Sequence, residues 1–325
     1  MNSTPRLMVK SVFILLTCCL VLAQAEAQNL RAATASSYIE RGGEWYAKGE
    51  YLKAESDFTL AIASDPSQAG AYYNRAITRF QLNKLTEALL DFDRALQLNP
   101  LMVEAYVDRG GVRYLLSDLD GAISDCNQAI ALNPKLAPAW GNRGLARGRL
   151  GDHAGALADF DRALKLDARH AELYNNRGIA RFKLGDYDSA ISDQTRALKL
   201  KPQLAEAWSD RGAARQFKGD LAGAFNDYQQ ALQLNPRFAD AWFNRATWWK
   251  RTGDWARAEA DFTQVIELQP QLADAYAQRG LTRLLQQRAE DAQADFNRCL
   301  ELNPRLRQSL ERMISEAKQR LATKQ

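Results

Sequence analysis

The sequence predicts an all-α protein, a right-handed α-solenoid (superhelix) of stacked antiparallel helix pairs. Three observations predict it. Shifting the chain by 34 residues lays it on itself from Ala35 to Leu306 with no gap, giving eight blocks. The fourth place of every block is aromatic and the twentieth is alanine in all eight. Places 4, 8 and 11 recur at helical spacing, and so do places 20, 24 and 27. A fixed period of this length settles the architecture ahead of any local propensity. Such a stack grows by adding units and needs no central core, so 325 residues do not imply two globular domains.

Each element follows from residue type. The aromatics at place 4 run Tyr38, Tyr72, Tyr106, Trp140, Tyr174, Trp208, Trp242 and Tyr276. Place 8 is glycine or alanine, place 20 alanine, and place 24 mostly aromatic, as in Phe58, Phe92 and Tyr228. The small residues let two helices approach closely, and the aromatics are expected to fill the remaining space, each burying roughly 150–250 Å². Glycines near place 15 (Gly49, Gly151, Gly185, Gly219, Gly253) end the first helix with a left-handed residue. Proline at place 32 ends the second helix in seven blocks, with Ala168 in the fourth.

This pattern of an aromatic, Leu-Gly, Tyr, Ala, Phe and Pro resembles the tetratricopeptide repeat. The blocks are 35–68, 69–102, 103–136, 137–170, 171–204, 205–238, 239–272 and 273–306. One departure is systematic. Place 7, a leucine in that family, is arginine in all eight blocks from Arg41 to Arg279, and place 23 is aspartate in all eight from Asp57 to Asp295. Both fall where two helices of a block face each other. They are therefore expected to form an Arg–Asp ladder inside the scaffold rather than an anion-binding stripe.

The ends differ from the repeats. Arg6 and Lys10 precede an apolar run from Ser11 to Leu22, then Ala23-Gln24-Ala25-Glu26-Ala27. That is the layout of a secretory signal peptide over residues 1–25, with cleavage after Ala25 or Ala27. Retention as an N-terminal anchor is the alternative. Cleavage after Ala25 removes two of 43 basic residues and none of 39 acidic ones, so the net charge falls from +4 to +2. Export to a bacterial periplasm is the expected localisation, with secretion elsewhere or N-terminal anchoring as alternatives. No stable membrane insertion of the mature chain is expected. Residues 26–34 read as a flexible lead-in. Residues 307–325 read as a capping helix and tail, with Leu310, Met313, Ile314, Ala317 and Leu321 at helical spacing.

Catalytic and metal chemistry find no support. His153 and His170 have no Cys, Asp or Glu around them at ligand spacing. Cys126 and Cys299 stand at core places. Phosphate loops and nucleophile elbows are absent from the sequence. The chain is expected to be non-enzymatic, without cofactor or metal.

Surface remains. In the resembled family the first helices line a concave groove. Place 6 carries Asn74, Asp108, Asn142, Asn176, Asp210 and Asn244, a stripe whose amides can donate and accept toward an extended peptide. It resembles the asparagine ladder of O-linked N-acetylglucosamine transferases, and lacks the lysine-rich carboxylate clamp. Capping or solvating the helix surface is the other reading of the stripe. Around it, Ile39, Tyr46, Tyr73, Ile77, Phe80, Val107, Tyr114 and Leu115 offer an apolar floor in the N-terminal third. Blocks four to seven are more polar there, with Arg149, Lys183, Lys250 and Arg251, and suit an acidic part of a ligand; Phe182 is a further groove residue on the same face. The resemblance implies a scaffold or adaptor holding an extended protein or peptide segment. The rival readings are a nucleic-acid-binding helical repeat, disfavoured by the low net charge, and a structural spacer without groove ligand.

Overall fold

The computed structural model of the chain describes residues 24 and 29–322. The expected signal segment and its cleavage positions Ala25 and Ala27 lie outside these residues. The described residues contain helices and turns and no strand. The architecture is an all-α helical-repeat solenoid. The chain forms two compact units, divided after Gly151.

The first unit holds α1 (residues 29–47), α2 (Tyr51–Ser64), α3 (Ala69–Gln81), α4 (Leu85–Leu98), α5 (Val103–Leu115), α6 (Leu119–Leu132) and α7 (Ala137–Arg149). The second holds α8 (His153–Leu166), α9 (Ala171–Lys183), α10 (Tyr187–Leu200), α11 (Ala205–Lys218), α12 (Leu221–Leu234), α13 (Ala239–Thr252), α14 (Trp255–Leu268), α15 (Ala273–Leu285), α16 (Ala289–Leu302) and α17 (Arg307–Ala322). The stretch expected as a flexible lead-in is helical from residue 29, where it forms the first turns of α1.

Helices in each pair approach closely because the facing places are small. The alanines at place 20 are buried, and the rings of Phe58, Phe92, Tyr228 and Phe262 fill the gap beside them. Gly212 shows how tight the fit is. A Cβ there would lie 2.7 Å from the Tyr228 ring. The turn between paired helices needs a left-handed residue at place 15. Five blocks supply glycine, and Asn83, Ser117 and Gln287 take the same conformation at φ values of 58°, 64° and 62°. The aspartates that follow (Asp118, Asp186, Asp220, Asp254) cap the second helix by accepting from a backbone N–H three residues on.

The Arg–Asp ladder is present. Arg41, Arg75, Arg109, Arg177, Arg211, Arg245 and Arg279 each donate from Nε and Nη2 to the aspartate 16 residues on. The arginine at place 11 adds a third donor in several blocks, as Arg79 does to Asp91 at 2.7 Å and Arg181 to Asp193 at 2.7 Å. Several place-7 arginines also reach the preceding second helix through Nη1, as Arg109 does to Asp93 and Arg177 to Asp161.

The place-4 aromatics differ from expectation. They are half-buried, and each carries its own block's place-7 guanidinium, from Arg41 over Tyr38 at 5.2 Å to Arg245 over Trp242 at 4.6 Å. Tyr106, Tyr174, Trp208, Trp242 and Tyr276 still pack against the core from this half-buried position, and the rings also back the arginine by a cation–π contact. Trp208 and Trp242 also donate from Nε1 to the carbonyls of Pro202 and Pro236, tying each first helix to the proline turn before it.

The last helix, α17, packs on α15 and the 3-10 turn Pro304–Leu306. Leu310 and Ala317 are buried with Ala277, Leu281 and Leu284 of α15. Met313, Glu316 and Arg320 share a cavity with Thr247, Lys250 and Arg251 of α13. The helix therefore lies along the first-helix face of the last two blocks, and not only over the final repeat.

Candidate functional site

In the first unit the face formed by α1, α3, α5 and α7 holds a cavity of about 540 Å³. Tyr46, Tyr73, Ile77, Phe80, Val107, Tyr114 and Leu115 supply its apolar wall, with Asp108 and Asn142 as polar members. Every one of these residues was expected at the groove from sequence. Ile39 and Asn74 are half-buried and line other surface. Phe80 and Leu115 leave 40% and 52% of their surface in solvent, a large apolar exposure for one locus.

The geometry of the stripe is more specific than the sequence shows. Tyr73 Oη donates to Asp108 at 2.8 Å, and Asn142 Nδ2 donates to the Val107 carbonyl at 3.3 Å. In the second unit Asn175 Nδ2 donates to Asp210 at 3.0 Å, and Asn244 Nδ2 donates to Ser209 Oγ at 3.1 Å. Each bond joins place 6 to place 5 of the preceding first helix. Four stripe residues thus hold neighbouring first helices together. Asn142 and Asn244 each spend one N–H on this and keep their carbonyl oxygens.

Burial acts on the two acids. The Asp108 carboxyl is pushed above the usual carboxylate range by desolvation, against the stabilising bond from Tyr73. Asp210 is pushed to about 6, again by desolvation first, with Asp240 and Glu206 adding to it and Asn175 and Lys183 opposing. The Tyr73 phenol is raised by burial and by Asp108.

The basic residues expected to meet an acidic part of a ligand are largely engaged within the protein. Arg149 Nη1 donates to the Tyr114 carbonyl at 3.1 Å and stacks over the Tyr114 ring at 5.0 Å. Arg251 Nη1 donates to the Gln216 carbonyl at 3.1 Å. Lys250 is half-buried beside α17 and donates to Gln278. Desolvation, with Arg320 nearby, pulls its pKa down to about 8. Lys183 is exposed, and Asn176 is half-buried. Phe182 joins Tyr187 and Phe217 in a three-ring cluster with centroids 5.2–5.4 Å apart, of which Phe217 is 61% exposed.

Sequence reasoning missed one feature, the buried amide Gln194, in the same repeat as Asn175. Both are buried, Gln194 at 0% and Asn175 at 5% exposure. Its signal was a break in one column, since place 24 is otherwise mostly aromatic.

Models of the tetratricopeptide repeat match residues 69–100, 142–205, 218–247, 239–272 and 273–306, together more than half of the chain. The chain is a tetratricopeptide repeat protein. The repeat fold is a protein-interaction scaffold, and proteins built from it are generally non-enzymatic. No curated protein matches the chain by sequence. Among solved structures, a chain of the APC/C Cut9–Hcn1 hetero-tetramer is 18% identical with a TM-score of 0.67, over 83% of this chain and 52% of that one. This tetratricopeptide repeat chain therefore spans about half the length of that relative. A tetratricopeptide repeat protein from Parabacteroides merdae is 20% identical with a TM-score of 0.63, over 77% of this chain and 99% of that one. PilF of Pseudomonas aeruginosa is 19% identical with a TM-score of 0.58, over 65% and 96%. At these identities the likeness is one of fold. Among the described residues, no helix is long and apolar enough to cross a membrane.

Proposed function

We propose that this repeat protein is a scaffold or adaptor that holds an extended segment of a protein partner against the first-helix face of its first unit. The observation that carries this reading is the cavity walled by Tyr46, Tyr73, Ile77, Phe80, Tyr114 and Leu115. Aromatic side chains there offer large contact area at low conformational cost, and such residues dominate binding energy at interfaces. The unspent carbonyl oxygen of Asn142 and the carboxylate of Asp108 lie in the same wall and suit the backbone N–H groups of an extended segment. The fold itself names no partner.

A photoreactive amino acid replacing Phe80 or Leu115 tests this in cells. Leu90, 64% exposed on α4, serves as the control position. Adducts to one protein from Phe80 and Leu115, and none from Leu90, are expected. Equal labelling from all three positions sinks the reading.

Export to the periplasm is proposed on the layout of residues 1–27. The intact mass of the protein recovered from its cell envelope checks it: a chain beginning at Glu26 or Gln28 is expected, and a chain retaining Met1 argues for an anchor instead.

A further inference from the structure

Place 12 of the repeats is aromatic in four blocks, as Tyr46, Phe80, Tyr114 and Phe182, and charged in one, as Lys250. Tyr46, Phe80 and Tyr114 line the cavity of the first unit, and Lys250 lines another in the second. That second cavity lies between α13, α15 and α17 and measures about 390 Å³. Sites for small molecules run from about 300 to 1,000 Å³, so the space is large enough for one.

Its two ends differ. One is apolar: Leu281 and Ala317 are buried there, and Leu285 and Met313 are half-buried. The other is cationic, with Lys250, Arg251 and Arg320 against a single acid, Glu316. Arg251, Glu316 and Arg320 are exposed, so the cavity opens to solvent on their side. Lys250 is half-buried, and one of its N–H groups goes to the neutral Gln278. Among the described residues no carboxylate comes within ion-pair distance of this ammonium. Desolvation, and after it Arg320, lower its pKa to about 8, and no acid acts against them. An ammonium has three donors and no acceptor, so two N–H groups remain beyond the one that Gln278 takes. Arg251 commits Nη1 to the Gln216 carbonyl and has further N–H groups beside the cavity.

We propose that the cavity between α13, α15 and α17 is a binding site for a small aliphatic carboxylate, with its anionic head at Lys250 and its hydrocarbon body over Leu281, Leu285 and Met313. A carboxylate only accepts hydrogen bonds and carries the charge that the ammonium lacks beside it. The apolar end is built from leucine, alanine and methionine, which offer no ring for a planar ligand to stack on and adapt to a flexible chain. The ligand is a free acid and not part of a polypeptide, because α17 itself lies along the first-helix face that an extended segment would need. The site lies within the second unit and does not depend on the apolar wall of the first.

Titration of the full chain with sodium hexanoate at pH 7, followed by NMR of carbon-13-labelled methionine methyl groups, tests this. The Met313 resonance is expected to shift saturably, and that of Met102 in the first unit to stay in place. Hexanamide, equal in shape but neutral, is expected to bind at least about tenfold more weakly, a factor set by one charge-assisted hydrogen bond. Acetate, which has the charge without the body, should lose at least about as much. Lys250→Met keeps the stem, removes the charge and should weaken hexanoate by about tenfold. Its fold is checked by thermal unfolding, and Thr247→Leu gives a second variant if it fails. Thr247 lines the cavity at place 9, where two other blocks carry Leu145 and Leu281, so the larger side chain suits the fold and should block the ligand. A Met313 resonance that does not shift, equal isotherms for hexanoate and hexanamide, or full binding by folded Lys250→Met or Thr247→Leu overturns the proposal. Acetate binding as tightly as hexanoate overturns the role of the apolar end. Acetyl-Leu-Glu-Leu-amide binding more tightly than hexanoate overturns the assignment to a free acid.

Discussion

Arg177 and Asp193 meet through two parallel hydrogen bonds, Nε to Oδ2 at 2.9 Å and Nη2 to Oδ1 at 2.6 Å, and Tyr174 backs the guanidinium at 5.4 Å. The aspartate is buried, and Arg181 supplies a third bond. Removing one partner from such a group is expensive because the other charge stays desolvated.

Arg177→Leu is therefore expected to destabilise the second unit by about 2–4 kcal/mol, below the full cost of an orphaned charge because Arg181 remains. The double change Arg177→Leu with Asp193→Leu should recover part of that loss, since it leaves without a partner only Arg181 and the solvent-exposed Asp161. Urea unfolding midpoints of the single and double variants measure this. A single variant as stable as the parent would show that the ladder is ornament.

The turn at place 15 gives a cleaner case. Gln287 sits at φ 62° where five other blocks have glycine. Gln287→Gly is expected to stabilise the chain by about 0.5–1 kcal/mol, because it relieves left-handed backbone that an L side chain resists. Gly219→Ala, at φ 89°, should cost about as much in the opposite direction. Thermal unfolding of the two variants separates them in sign.

The helices, their turns and the Arg–Asp pairing were legible because each is written eight times, and repetition turns residue choice into a pattern. The apolar wall around Tyr73 and Tyr114 was legible because its residues fall on one side of the first helices, although Tyr73, Ile77 and Val107 also pack on the core. What was hidden is what a sequence column does not encode. The stripe at place 6 bonds backward to place 5 of another block, 35 residues away, so Asp108 and Asn244 look free in a single-block view and are engaged in the fold. The place-4 rings looked like core because they are aromatic, whereas each shares its surface with an arginine. The capping of the last repeat by α17 was expected, but its reach to α13 depends on chain direction after Pro304, which periodicity does not describe.

Asp210 predicts a pH dependence. Its folded pKa of about 6 stands above its usual value, so the folded state holds the proton more tightly than the unfolded chain. That stability is present below about pH 4 and is lost as pH rises through about 6, on the order of 2–3 kcal/mol in all. Asp210→Asn removes the dependence and should leave the second unit more stable than the parent at pH 7. Urea midpoints at pH 4.5 and 7 for both proteins check it, and parallel curves would refute it.

Lys250 predicts the reverse slope, read at α17. Its folded pKa of about 8 lies below its usual value, so the unfolded chain binds the proton more tightly. The penalty on the folded state is full below about pH 8 and fades as pH rises toward 10.5, where the lysine is neutral in both states. The charged groups sharing its cavity are Arg251 of α13 and Glu316 and Arg320 of α17; α15 contributes the neutral Gln278. Glu316 is the one acid among them, and Arg320 opposes the ammonium, so α17 supplies both the opposing cation and the acid. Lys250→Met keeps the apolar stem and removes the charge. It is expected to slow amide exchange across residues 307–322 at pH 7 by about tenfold, a change of about 1.4 kcal/mol in local opening, and to leave exchange of the α9 amides as it was. Exchange measured by mass spectrometry at pH 7 decides this. Faster exchange in the variant would mean that the bond from Lys250 to Gln278 outweighs the desolvation and repulsion, and that the ammonium holds α17 down instead of loosening it.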